Sequence, residues 1–77
     1  MQPLKVKVKA STDGEPYREI ATGTYANGSF EFPSATEPVP EEIMKELHRF
    51  FKDFGASVGT HNYKVGKTSY QVSFTDK

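Results

Sequence analysis

The sequence predicts a two-layer α+β fold, β-β-β-α-β-β, with one amphipathic helix packed on one face of an antiparallel sheet. Three observations predict it. Residues Leu4 to Ala10 alternate strictly between apolar side chains and lysines, the period of a half-buried strand. Asn27-Gly28 and Gly66-Lys67 each sit between runs rich in β-branched and aromatic residues, where two-residue hairpin turns belong. Ile43, Met44, Leu47, Phe50, Phe51 and Phe54 form one stripe at helical period. A single helix covers only one side of a sheet, so the opposite face is expected to be open to water.

The elements follow in order. In the first strand Leu4, Val6, Val8 and Ala10 face the core, and Lys5, Lys7 and Lys9 face away. Ser11 to Pro16 is a turn cluster. A second strand runs from Tyr17 to Ala26, and Asn27-Gly28 folds it into a third, Ser29 to Phe32, which Pro33 is expected to end. The two-residue loop pairs Ala26 with Ser29, Tyr25 with Phe30 and Gly23 with Phe32. It sends Tyr25, Phe30 and Phe32 to the core, and Arg18, Ile20, Thr22, Thr24 and Glu31 to the open face. Ile20 is out of place there; a β-bulge near Ala21–Gly23 would return it to the core and would move Arg18 with it.

Ser34 to Pro38 reads as a linker. The helix is expected to begin near Val39 or Pro40, since proline suits the first turn and the Glu41 and Glu42 carboxylates complement the helix dipole there. Gly55 is the natural stop. The second hairpin spans Ala56 to Val65 and Thr68 to Thr75 around a type II′ turn at Gly66-Lys67. Its register pairs Val65 with Thr68, Tyr63 with Tyr70, His61 with Val72 and Gly59 with Phe74.

Composition bounds the function. Seventy-seven residues make one small domain, 1–77. Leu, Ile, Val and Phe number 16, close to the level below which chains stay disordered, but the net charge is zero and ten aromatics supply apolar area. Without cysteine there is neither a disulfide nor a thiolate metal site, and a cytoplasmic location is expected. No apolar run spans a membrane and the first residues lack the apolar stretch of a signal peptide, so no membrane partner is expected.

Catalytic signatures are weak. Val65-Gly66-Lys67-Thr68 matches the end of a phosphate-binding loop, but that motif needs a glycine at position 61, where His stands, and a helix after it. His48 and His61 have no ligand spacing around them. No nucleophile elbow occurs. The expectation is a protein that is not an enzyme and holds no cofactor and no metal.

The open face is the informative surface. Lys5, Lys7, Lys9, Arg18 and Lys64 stand there against Glu31, a surplus of four positive charges, with minus four elsewhere on the chain. Thr22, Thr24 and Gln71 add hydrogen-bonding groups. No aromatic is assigned to this face, which argues against base stacking on the sheet. Lysines also guard sheet edges against aggregation, and the first strand is a candidate edge. The expected function is a small protein-binding module, an inhibitor or adaptor such as a phage-encoded inhibitor of a host complex, docking the acidic surface of another protein through Lys5, Lys7, Lys9, Arg18, Thr22, Thr24, Lys64 and Gln71 or through a strand edge. The alternative partner for the same face is a nucleic-acid backbone, disfavoured by the presence of only two arginines.

Overall fold

Turn chemistry sets the strand pairing. In the computed structural model, which describes residues 3–55 and 57–76, Asn27 and Gly28 both take positive φ (53° and 77°), the requirement of a type I′ turn. Gly66 alone is positive at its turn (φ 63°), as type II′ demands. Asp13-Gly14 forms a third turn of the I′ kind, closed by the Glu15 N–H donating to the Thr12 carbonyl at 3.1 Å. These turns order β1 (Leu4–Thr12), β2 (Arg18–Ala26), β3 (Ser29–Ala35), α1 (Glu41–Phe54), β4 (Gly59–Val65) and β5 (Thr68–Thr75).

The sheet is wholly antiparallel, in the order β3-β2-β1-β5-β4. β1 is therefore the central strand, which corrects its assignment as a candidate edge; the edges are β3 and β4. The second hairpin has the expected register at every pair. Its first strand starts at Gly59; the expected start, Ala56, lies outside the described residues.

Two irregularities shape β2. The pairing with β1 slips between Val8 and Lys9, so that Val8 faces Ala21 while Lys9 faces Glu19. Ile20 is the extra residue, and it turns into the core at 2 % exposure. Its carbonyl, freed from the ladder, accepts from the Thr36 N–H (2.7 Å), the Thr36 hydroxyl (3.3 Å) and the Glu37 N–H (3.4 Å). The bulge thus ties the segment leading into α1 to β2.

The second irregularity faces β3. Ala26–Ser29, Tyr25–Phe30 and Thr24–Glu31 pair as expected, but then Thr22 meets Ser34. Gly23 does not pair with Phe32 in register; Phe32 and Pro33 together oppose it. The bulge carries β3 past Pro33 to Ala35, correcting the expected end at Phe32 and shortening the linker. Pro33 lacks an N–H, but an edge strand accommodates it.

α1 starts after Pro40, and the Gly55 N–H caps it by donating to the Phe51 carbonyl at 2.8 Å. Ile43, Leu47 and Phe51 bury against Val6, Val8, Ala10, Ile20, Tyr25, Val72 and Phe74. Phe51 lies 4.8 Å from Phe74 and 5.0 Å from Tyr25, ring centre to ring centre, which locks the end of the helix onto β2 and β5. Each such buried side chain contributes about 1.5–3 kcal/mol. The far end of the stripe departs from the core: Phe54 is 75 % exposed and Phe50 38 %.

Candidate docking face on the open side of the sheet

Directly opposed residues share a face, so the register lays out the side of the sheet away from α1. One row across it reads Ser34, Thr22, Lys7, Ser73, Thr60. The next, toward the start of β1, reads Glu31, Thr24, Lys5, Thr75. On the other side lie Glu19, Lys9, Gln71 and Asn62, and beyond them Ser11, Ser69 and Lys64. The aromatic residues of the strands all fall on the helix side, and Phe30, Phe32, Tyr63 and Tyr70 pack against the core there.

Lys5, Lys7 and Lys9 form a column along the central strand, about 7 Å apart. With Thr22, Thr24, Ser73 and Thr75 they line a shallow dish of about 620 Å³, rimmed on the β3 side by Pro33. The dish bottoms at Gly23 and Val6, an opposed pair. The column of ammonium groups is thus flanked by hydroxyl groups from β2 and β5. Thr60 and Ser73 hydroxyls approach at 3.4 Å across the second hairpin.

Six of the eight residues assigned to the site from sequence lie together. Lys5, Lys7, Lys9, Thr22 and Thr24 line the dish, and Gln71 sits beside Lys9 on β5. Lys64 shares the face but stands on the edge strand β4, with β5 between it and β1.

Arg18 belongs elsewhere. The bulge at Ile20 pairs Arg18 with the buried Ala10 and so moves it off the open face. Its guanidinium forks onto Glu37, Nε to Oε2 at 2.7 Å and Nη2 to Oε1 at 2.9 Å. The hydrogen bonds from Arg18 hold the Glu37 carboxyl below the ordinary carboxylate range, and the same contact raises Arg18. The bulge also brings Glu19 onto the open face, where its carboxylate lies 3.9 Å from the Lys7 ammonium. Four lysines against Glu19 and Glu31 leave a surplus of two among the strand residues, half the expected surplus.

Glu19, Pro33, Ser34 and Ser11 are members of the face that sequence reasoning missed. A bulge inverts the parity of everything beyond it, and only the misplaced Ile20 signalled one.

The candidate chemical groups are dispersed. The His61 ring stands edge-on to Phe50 at 5.0 Å and Phe74 at 5.7 Å. His48 is exposed on the other flank of α1, near Gly28. Among the described residues no three His, Asp or Glu side chains cluster as metal ligands, and no helix is long and apolar enough to cross a membrane. Gly66-Lys67 joins two strands as a hairpin turn rather than preceding a helix. No family model, curated protein or solved structure matches this chain.

Proposed function

We propose that the chain is a non-catalytic binding module, acting as an inhibitor or adaptor, that docks an acidic partner protein on the open face of its sheet. The position of β1 supports this reading most. Edge protection explains lysines on an outermost strand, but β1 is hydrogen-bonded on both sides. Three like charges at alternate positions of a central strand repel one another, and among the described residues only Lys7 of the three has a carboxylate within 4 Å. A partner that offers carboxylates at alternate residues of an extended segment matches their spacing and relieves that repulsion.

A nucleic-acid backbone is less well served. Arg18, one of two arginines in the chain, is engaged by Glu37, and the face carries a surplus of only two charges.

The test is a nuclease-treated pull-down with quantitative mass spectrometry on three proteins. These are the wild type, the open-face reversal Lys5→Glu/Lys7→Glu/Lys9→Glu, and the helix reversal Lys45→Glu/Arg49→Glu/Lys52→Glu. The expected result is an acidic partner retained by the wild type and the helix variant and lost by the open-face variant. Partners recovered undiminished by the open-face variant would overturn the proposal. Binding confined to nucleic acid, detected with generic duplexes at low salt and removed by nuclease, would replace it with the nucleic-acid alternative.

A further inference from the structure

The two edges of the sheet are built differently. β3 carries the standard defences against strand pairing: an exposed Glu31, a proline and a bulge. β4 has none of them along Gly59–Tyr63, and its one charge, Lys64, lies near its end. The type II′ turn fixes which of its backbone groups point outward. Val65 and Thr68 flank the turn and exchange hydrogen bonds, so Tyr63 and His61 also bond inward, while Thr60, Asn62 and Lys64 present N–H and C=O to the outside. Among the described residues no hydrogen bond reaches those outward backbone groups.

Apolar surface lies beside this edge. Phe54 contacts Phe50 at 4.9 Å and Phe50 contacts His61 of β4 at 5.0 Å, so the patch runs from the helix down to the strand. Val58, immediately before β4, is 57 % exposed. Exposed phenylalanines contiguous with an undefended edge mark an association surface.

We propose that β4 is a self-association edge, where a second copy of this chain pairs antiparallel about a two-fold axis at Asn62. That register sets Asn62 opposite its own counterpart and Thr60 opposite Lys64 of the second copy, so every outward-facing residue of the strand finds a partner. A two-fold at His61 or Tyr63 would instead run one outward residue past the end of the partner strand. The Asn62 register opposes no like charges: Lys64 meets a threonine. On the helix side it sets His61 against Tyr63 of the second copy, next to Phe50. The two open faces join into one continuous surface, placing both lysine columns on the same side.

Sedimentation equilibrium of the full chain over a range of concentrations tests this. The wild type is expected to form a dimer that dissociates on dilution. Asn62 is exposed, so substitutions there leave the fold intact, which circular dichroism checks. Asn62→Lys places two ammonium groups opposite each other and is expected to weaken the dimer at least about tenfold. Mixing Asn62→Lys with Asn62→Glu is expected to restore it as a heterodimer. A wild type monomeric at every concentration would overturn the proposal and leave the edge to a foreign strand. A dimer untouched by Asn62→Lys, or a mixture that fails to associate, would overturn it equally.

Discussion

Arg18 and Glu37 form a two-pronged ion pair, at 2.7 Å and 2.9 Å, between the first residue of β2 and the segment that leads into α1. The pair exists because the bulge at Ile20 rotates Arg18 off the open face. It pins the connection at which the chain leaves the sheet for the helix, beside the three hydrogen bonds gathered by the Ile20 carbonyl.

The pair fixes the sign of one pH effect. Arg18 lowers the Glu37 carboxyl below its ordinary value. The pair therefore contributes stability above the unfolded carboxyl's pKa, and loses it as pH falls through the lowered folded value. Both side chains are exposed, so the effect is small. Thermal melts of the wild type and Glu37→Gln are expected to differ slightly at neutral pH and to converge in acid. A difference that grew on acidification would contradict this. Arg18→Ala is expected to leave partner binding unchanged.

Gly23 admits no side chain. A Cβ there would lie 1.7 Å from the Glu31 carbonyl oxygen and 2.9 Å from the Phe32 Cα, both backbone atoms that cannot step aside without moving β3. Gly23→Ala is expected to cost about 3 kcal/mol or more in urea unfolding. Gly14→Ala is the control: nothing lies within 4 Å of its Cβ position, so only its positive φ of 80° is penalised, by about 1 kcal/mol. Equal costs at the two sites would contradict the close approach of β3.

The apolar stripe of α1 divides in two. Phe51 is 5 % exposed among Tyr25, Phe74 and Phe50, whereas Phe54 projects outward. Phe51→Ala is expected to cost about 3–5 kcal/mol. Phe54→Ser is expected to stay within about 0.5 kcal/mol for the monomer. Chemical denaturation at low concentration separates the two. A large loss at Phe54 would mean that its ring is part of the core.

The features legible in the sequence were local ones. Asn27-Gly28 and Gly66-Lys67 dictate their turns through φ alone, and the hairpin registers count outward from them. The stripe from Ile43 to Phe51 finds its face at helical period. What stayed hidden depends on distant pairing. β1 is central because β5 returns to its free side, a choice that no residue of β1 records. Pro33 looks like a strand end until the bulge opposite Gly23 and the edge position of β3 make room for it. Five of the eight assigned site residues line the dish because the alternation of β1 and of Thr22–Thr24 survives intact; Arg18 was lost because it lies beyond the bulge.

The central claim is that the lysine column of β1 recognises carboxylates. An isotope-labelled sample titrated with a synthetic peptide of alternating Glu and Thr, at low and at high salt, tests it most directly. The expected result is amide shifts at Lys5, Lys7, Lys9, Thr22, Thr24 and Gln71, reduced by salt and weakened at least about tenfold by Lys5→Glu/Lys7→Glu/Lys9→Glu. Shifts centred on Lys45, Arg49 and Lys52 of α1, or no binding at low salt, would contradict it.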